Sequence, residues 1–486
     1  MINLIIKQAN WGMAGSIFGF VIGFFIKIYL IDIIGIEQWG KYVSALTFSG
    51  AMSTIISFGI PWVIVKYIPQ YIDADLKSAK QLIRKIINYS LVISFVFLVI
   101  IYFLAPVLDV YLYKEINNFS LILLVTSINV PISILMGIII SLYRAAFKIK
   151  EIMLYGTFII VPLRAVLTYF IFIYTDNVLY FIGIEMFTSF VSLSLLFYFF
   201  NKNVFSIVFV EKDIDFKIDS EITSYAKKMY TISLVTFFAG QSLSLILSFM
   251  LPTIYIGVYS ILLSISGVTL FLINNLNTIF APAISKLFSE NRISELEILF
   301  KKTTFIINLL AAPFIISIII FSKDILYLYD DTGGLVRYAP YLYIIMFGRI
   351  FRLLVGGAGN ILTMANLEKY ELKLQFFKVL FINVLAILFI TEYKLLAVVL
   401  LFVIFSLLTE IYRIIIIKIK LNMHPFSKPL YLLVLVSAPF LYLGMTHELD
   451  FKMFHYFLFP ILLYCFYALI FLKEIKSIYL DFLNKD

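Results

Sequence analysis

The chain has almost none of the residues that usually build metal or redox centres. It contains one cysteine, Cys465, which excludes an intramolecular disulfide and any site with several cysteine ligands. Its three histidines, His424, His447 and His455, include no i, i+4 pair, and this disfavours a histidine metal centre. We therefore expect neither a metal ion nor a cofactor.

Charge is also scarce, and this scarcity decides the class of protein. Charged residues make up 14% of the 486 and apolar residues 62%, against about 25% and about 45–50% in soluble proteins. The mean hydropathy is +1.02, so a soluble globular domain is excluded. The net charge of +9 is spread in small groups between apolar runs rather than over one water-facing surface, so we expect no nucleic-acid partner.

Apolar runs bounded by charged residues predict an all-α polytopic membrane protein with about 14 transmembrane helices, at roughly 20 residues for each span. The first run is interpreted as a membrane helix and not as a removed signal peptide, because no small-residue cleavage site follows a short hydrophobic core. The predicted spans are 10–31, 43–65, 86–108, 119–143, 152–174, 178–200, 228–251, 254–279, 303–322, 339–363, 374–391, 395–417, 429–446 and 453–472.

The distribution of basic residues predicts the orientation of these spans. With the N-terminus inside, the loops, tails and adjoining span ends of one side carry 28 Lys and Arg, and those of the other side carry six. By the positive-inside rule, both termini are expected in the cytoplasm. The four remaining basic residues fall within spans: Lys27, Arg164, Arg349 and Arg352.

The segments outside the spans are too short to fold by themselves, and the longest, about 201–227, has mixed charge. Membrane glycosyltransferases, polymerases and ligases usually carry a sizeable outer loop with catalytic acids or histidines. We therefore expect a transporter and not an enzyme, and a membrane polysaccharide polymerase is the alternative from a different class.

Sliding the chain against itself indicates an internal duplication. Ile86-Ile87-Asn88 matches Ile306-Ile307-Asn308 at an offset of 220, and Gly40-Lys41-Tyr42 matches Gly257-Val258-Tyr259 at 217. Chance matches are easy in an apolar sequence, so coincidence is the alternative. A duplication predicts parallel six-helix repeats with a substrate site between them near the midplane. The predicted parts are an N-lobe, 1–201; a cytoplasmic linker, 202–227; a C-lobe, 228–420; and two further helices with a cytoplasmic tail, 421–486.

Four short motifs resemble those of the polysaccharide-unit transporters of the multidrug/oligosaccharidyl-lipid/polysaccharide exporter superfamily, and more narrowly the O-antigen flippases of the Wzx type. They lie at the ends of predicted helices: Gly35-Ile-Glu-Gln-Trp-Gly40-Lys-Tyr42, Gly59-Ile-Pro61, Ile256-Gly257-Val-Tyr259-Ser260 and Ala281-Pro282-Ala-Ile-Ser285-Lys286. Each motif is loose by itself, but the topology and spacing resemble the family over nearly the whole chain.

The resemblance implies a V-shaped pair of six-helix lobes in the bacterial plasma membrane. It implies a flippase that moves an undecaprenyl-pyrophosphate-linked oligosaccharide, an O-antigen or capsule repeat unit, from the cytoplasmic to the outer leaflet. A polymerase and a chain-length regulator of the same pathway are the implied partners. Peptidoglycan-precursor flippases of the superfamily carry more arginines in helices 1 and 2, where this chain has only Lys27, and this departure favours the O-antigen or capsule branch.

Ionisable residues within spans are the candidate site, because a midplane charge is costly and usually faces a cavity. Arg164 lies about 18 Å from the cytoplasmic end of its helix, at 1.5 Å per residue, and Glu185 of the next helix comes to a similar depth. The two are predicted to pair. The pair is either structural, or Arg164 is a substrate cation that Glu185 holds and releases on protonation.

Arg349 and Arg352 lie at i, i+3 on one helix face, in a span with no acidic residue. We expect them to bind an anion such as pyrophosphate; the alternative is that carbonyl groups of neighbouring helices hold them. Lys27 is either a substrate contact or a side chain that reaches the interface. Glu410 and Arg413, also at i, i+3, are expected to pair with each other.

Amide side chains at depth are a weaker signal for a sugar path, because an amide offers both donors and acceptors to hydroxyl groups. The candidates are Gln241, Asn274, Asn275 and Asn277. Hydrogen bonds between helices explain them nearly as well. The competing transport function is a multidrug or cation antiporter, which would need buried acids, whereas this chain has more mid-membrane cations than anions.

Overall fold

The computed structural model describes residues 2–111, 119–207, 219–446 and 453–476. Within these ranges all regular structure is helical and no strand occurs, so the predicted all-α fold is confirmed. The helices are α1 (Ile2–Ile56), α2 (Ile60–Ala74), α3 (Leu76–Tyr111), α4 (Phe119–Ala145), α5 (Ile149–Met153), α6 (Ile160–Ile171), α7 (Val178–Asn203), α8 (Ser220–Met250), α9 (Thr253–Ser289), α10 (Ile293–Ile320), α11 (Ser322–Tyr327), α12 (Ala339–Val355), α13 (Ala358–Met364), α14 (Glu368–Leu421), α15 (Lys428–Thr446) and α16 (Met453–Ile470). A π turn, Leu154–Phe158, joins α5 to α6, and a 3-10 turn, Val336–Tyr338, precedes α12.

Eleven helices of the described residues are long and apolar enough to cross a membrane, and Leu458–Ile470 is a shorter apolar helix. The chain is therefore a multi-pass membrane protein. The predicted number of fourteen spans stays a prediction. Side chains such as Phe95 and Phe103 of α3 are 68% and 71% exposed, as expected for a surface that faces lipid.

Two helices contain one non-helical residue where the sequence separates two predicted spans. Gly35 interrupts α1 with φ 78° and ψ 161°, and Lys394 interrupts α14 with φ 49° and ψ −128°. Only glycine adopts such angles freely, so the backbone at Lys394 is strained. The helix resumes at once on the far side of each break.

Polar side chains cap the helices at the loops and fix where they begin. Asn177 accepts a hydrogen bond from the Leu179 amide at 2.9 Å at the start of α7, and Asp219 accepts one from the Glu221 amide at 3.0 Å at the start of α8. Asp75, before α3, accepts from the Ser78 hydroxyl at 2.5 Å. This bond to its charged form holds the pKa of Asp75 below its usual value.

Glycine breaks the predicted span 339–363 close to the candidate arginines. Gly356, between α12 and α13, has φ 63°, and a Cβ there would lie 2.3 Å from Oγ1 of Thr304 on α10. Both the backbone angle and the close approach require glycine at this position. Gly356 and Gly357 therefore form a helix break, and Gly356 packs against α10.

The internal contacts divide the chain into two compact units, Met1–Gly257 and Val258–Asp486. In the first unit α1 packs on α4, α5, α6 and α8, and α2 packs on α4 and α8. In the second unit α12 packs on α10 and α14, and α10 packs on α15 and α16. The predicted lobes, with a boundary at 228, stay a prediction.

The orientation of the spans can be tested with reporter fusions. A fluorescent protein that matures only in the cytoplasm should be bright when fused after Lys212 or Lys476 and dark after Asp331 or Glu448, because of the 28-to-six distribution of cations. Whole-cell fluorescence normalised to fusion abundance measures this. Opposite signals at residues 212 and 476 would mean that the number of spans between them is odd.

Candidate functional site

An ion pair inside the first unit joins α6 to α7. Nη1 of Arg164 lies 2.8 Å from Oε1 of Glu185, and Nε of Arg164 donates to Oγ1 of Thr188 at 3.1 Å. Both charged side chains are largely buried, with 27% and 16% of their surface exposed. The structure therefore contains the ion pair that the sequence predicts.

The second oxygen of the same carboxylate binds a tyrosine that sequence reasoning missed. The hydroxyl of Tyr42 donates to Oε2 of Glu185 at 2.5 Å, and Tyr42 is only 4% exposed. Its ring meets Phe181 edge to face, with centroids 5.4 Å apart. Glu185 thus accepts one charge-assisted bond from a guanidinium and a second bond from a phenol. The only sequence signal for Tyr42 is its place in the motif Gly40-Lys41-Tyr42, which the repeat matches to Gly257-Val258-Tyr259.

Aromatic rings connect Lys27 to this ion pair. Nζ of Lys27 lies 5.3 Å from the ring centroid of Trp39, and that ring lies 5.1 Å from the ring of Tyr42. We call these five residues the Glu185 cluster: Lys27, Trp39, Tyr42, Arg164 and Glu185. Two cations and one carboxylate leave the Glu185 cluster with an excess of one positive charge.

Local backbone features bring the Glu185 cluster together. After the break at Gly35, Gln38 donates to the carbonyl of Asp176 and accepts from the amide of Val178, both at 3.1 Å, so the segment is tied to the start of α7. The π turn before α6 holds one additional residue, which turns the helix that follows by about 100°. Both features affect the rotation of the helical segments that carry Tyr42 and Arg164.

The second unit buries a cation that has no carboxylate partner. Arg349 on α12 is 7% exposed. Its Nε donates to Oγ of Ser266 on α9 at 3.4 Å, and its guanidinium carbon lies 4.9 Å from the ring centroid of Phe402 on α14. Among the described residues no carboxylate pairs with it. Among the described residues, the neighbours of the Arg349 guanidinium are therefore a hydroxyl and an aromatic ring.

Arg352 lies one turn further along α12. Its guanidinium makes no hydrogen bond or ion pair with any residue in the described ranges, although Glu371, Glu410 and Arg413 act on it electrostatically. It is partly buried. The two arginines are therefore two cations for which no described residue forms an ion pair.

The three charged side chains that act on Arg352 electrostatically form a network of their own on α14. Nη1 of Arg413 lies 2.7 Å from Oε1 of Glu410, as the i, i+3 spacing predicts, and Nε of Arg413 donates to Oε2 of Glu371 at 3.0 Å. Gln375 donates to Oε1 of Glu371 at 2.8 Å. Glu371 precedes the predicted span that starts at 374, so sequence reasoning did not include it. Arg413 therefore forms ion pairs with two carboxylates, Glu371 and Glu410.

The amide candidates receive less support. Gln241 is exposed on α8. The side chains of Asn274, Asn275 and Asn277 lie outside those that the structure describes. In the described ranges no group of three or more His, Cys, Asp or Glu side chains has an arrangement that could hold a metal ion.

Comparison with known proteins agrees with this architecture. Residues 5–288 match the model of the family described as polysaccharide biosynthesis protein. No curated protein sequence matches the chain.

Several solved structures share its fold. The chain is similar to the lipid II flippase MurJ in an inward closed conformation, with a TM-score of 0.73 and 15% identity over 95% of this chain and 98% of that one. It is similar to an inward-facing multidrug resistance MATE family transporter of the MOP superfamily, with a TM-score of 0.63 and 16% identity over 85% and 94% of the two chains. It is also similar to a MOP superfamily transporter from Pyrococcus furiosus, described with a binding pocket of reversed polarity, with a TM-score of 0.56 and 15% identity over 86% and 95%. These likenesses show that the chain has the fold that these three proteins share.

Proposed function

The chain belongs to the polysaccharide biosynthesis protein family, and we propose that it is a flippase that moves an undecaprenyl-pyrophosphate-linked oligosaccharide across the bacterial plasma membrane. The substrate is an O-antigen or capsule repeat unit, carried from the cytoplasmic to the outer leaflet by alternating access. The observation that carries the proposal is Arg349, 7% exposed and without a carboxylate partner in the described residues, next to Arg352 on the same helix face.

The chemistry of the pyrophosphate fits these two arginines. A guanidinium binds phosphate oxygens through two parallel hydrogen bonds, and such charge-assisted bonds are stronger where water is scarce. Ser266 and Phe402 hold Arg349 without neutralising it, so its charge is available to the substrate anion. The two arginines together oppose the two formal charges of a pyrophosphate diester.

In the first unit the Glu185 cluster is a second cationic site. In this proposal Arg164 and Lys27 contact the anion or the first sugar, and Glu185 with Tyr42 holds Arg164 in place. Protonation of Glu185 would release Arg164 from one partner and so change its position during the transport cycle. If protonation of Glu185 drives this change, a proton gradient is the energy source of the transport cycle.

The charge balance argues against the alternative of a cation antiporter. A binding site for cationic drugs needs uncompensated carboxylates, whereas Glu185, Glu371 and Glu410 each bind an arginine. Arg349 and Arg352, by contrast, have no ion-pair partner among the described residues. An anionic substrate is therefore favoured over a cationic one.

Transport by the purified protein in liposomes tests the proposal. We expect a fluorescent undecaprenyl-pyrophosphate-linked trisaccharide to become accessible to a membrane-impermeant quencher faster in these liposomes than in protein-free ones, with an imposed proton gradient. The same oligosaccharide on neutral undecaprenol should not move faster. Ethidium is the probe for the alternative: movement of ethidium without movement of the pyrophosphate lipid would establish a cation transporter and refute the flippase.

A further inference from the structure

A cavity of about 460 Å³ lies in the second unit, away from Arg349 and Arg352. It is formed by α10, by the start of α15 and by the helical residues that follow α16. Its lining combines an apolar interior, which includes Ile298 and Phe305, with a basic rim, which includes Lys301, Lys302 and Lys473.

The cavity lies where three predicted spans meet the membrane surface. The spans 303–322 and 429–446 begin directly after Lys302 and Lys428, and the span 453–472 ends directly before Lys473. The lysines therefore fall at the level of the lipid headgroups and the apolar lining at the level of the acyl chains. The distribution of basic residues predicts that this is the cytoplasmic side.

The apolar part of the cavity is firmly packed on one side and open on the other. Phe305 is 2% exposed and its ring lies 5.4 Å from that of Phe471, within a core that α10 shares with α15 and α16. Ile298 is 52% exposed. An apolar chain entering the cavity would cover Ile298 and rest on Phe305.

The rim has an excess of positive charge. Lys301 lies 2.8 Å from Glu297, so this lysine is partly compensated. Lys473 lines the cavity, and Lys428 lies in the chain between the lining residues Ser427 and Pro429. Both lysines are exposed, and neither has an ion-pair partner among the described residues. Glu474 is the one carboxylate among the lining residues, and it does not balance the lysines. The rim therefore favours an anion.

We propose that this cavity binds an anionic phospholipid of the cytoplasmic leaflet, with its phosphate among Lys302, Lys428 and Lys473 and an acyl chain against Ile298 and Phe305. The match of a charged rim to a phosphate and of an apolar interior to an acyl chain selects an intact lipid over a free phosphate, which would leave the interior unfilled. The bound lipid gives α15 and α16 a role, which is to fasten the second unit to the cytoplasmic leaflet. This inference is independent of the proposed transport function.

Binding of fluorescent phosphatidylglycerol to the purified full-length protein in detergent tests the proposal. Each lysine near a membrane anion contributes about a fivefold change in affinity, so the double variant Lys428→Gln, Lys473→Gln should bind about 25-fold more weakly. The matched control is Lys227→Gln, Lys228→Gln, which removes the same charge from an exposed part of α8 and should bind as the unaltered protein does. Ile298→Trp fills the cavity without changing charge and should also weaken binding.

Competition identifies the chemistry of the ligand. Unlabelled phosphatidylglycerol should displace the probe, whereas phosphatidylcholine and soluble glycerol phosphate should not. Equal displacement by phosphatidylcholine would show a cavity that takes any lipid, and displacement by glycerol phosphate would show a site for free phosphate; either result overturns the proposal. The proposal would also be overturned if the α8 control variant bound phosphatidylglycerol as weakly as the double variant Lys428→Gln, Lys473→Gln does. Net charge alone would then explain the loss of binding.

Discussion

Replacing Arg349 and Arg352 together by alanine should abolish export of the polysaccharide repeat unit. Each bidentate contact to a phosphate contributes about 1.5–3 kcal/mol, so each lost arginine should reduce transport by about one to two orders of magnitude. Replacement of both by lysine keeps the charge but loses the planar fork, and should leave partial export. Surface polysaccharide in a flippase-null strain, divided by the membrane abundance of each variant, measures the effect.

Removal of the Arg349 charge by a substitution of similar size should not destabilise the protein, and this separates a binding role from a structural one. Arg349 is buried without a carboxylate partner, so Arg349→Met removes an uncompensated charge and should leave the unfolding temperature in detergent unchanged or raised. Arg413→Met is the contrast, because it leaves Glu371 and Glu410 without their cation and should lower that temperature.

Two results would refute the assignment of the anion site. One is full export by the double Arg349→Ala, Arg352→Ala protein. The other is a loss of export that is fully explained by a lower abundance of the variant protein in the membrane. Arg144→Ala, an exposed arginine at the end of α4, serves as the control for the general effect of removing a cation.

Single neutralisation of Arg164 or Glu185 should harm the protein more than neutralisation of both. Removing one partner leaves a charge unpaired inside the first unit, which costs about 3–5 kcal/mol for a fully buried pair and less here because both side chains are partly exposed. The double variant Arg164→Gln, Glu185→Gln leaves no charge to compensate. Unfolding temperatures in detergent and transport rates in liposomes, combined as a double-mutant cycle, give the coupling energy.

Tyr42→Phe extends this experiment to the residue that the sequence did not reveal. The substitution removes only the hydroxyl that donates to Oε2 of Glu185. It should lower the free energy of unfolding by about 1.5–3 kcal/mol, as the loss of other hydrogen bonds to a charged group does. In a protein that already carries Glu185→Gln, Tyr42→Phe should lower the free energy of unfolding by less. If the Arg164 and Glu185 single variants and their double variant behave alike, the pair does not support the fold, and Glu185 is better interpreted as an independent proton carrier.

The amino-acid sequence by itself determined the properties that depend on neighbouring residues. Hydropathy fixed the membrane class and the helical fold, because a backbone in hydrocarbon must satisfy its hydrogen bonds within one segment. The same apolar runs isolated Arg164, Arg349 and Arg352 as charges inside spans. The contact between Glu410 and Arg413 followed from helical spacing alone, since residues at i, i+3 are always neighbours on a helix.

Only the tertiary structure decided which distant side chains meet. Tyr42 binds Glu185 across 143 positions, Arg349 binds Ser266 across 83, and Arg413 binds Glu371 across 42. Such contacts depend on how each helix is rotated about its axis, and that rotation is set by features that hydropathy does not encode, such as the π turn before α6 and the breaks at Gly35 and Lys394. The sequence therefore located the charges along the membrane normal, and packing of the helices chose their partners.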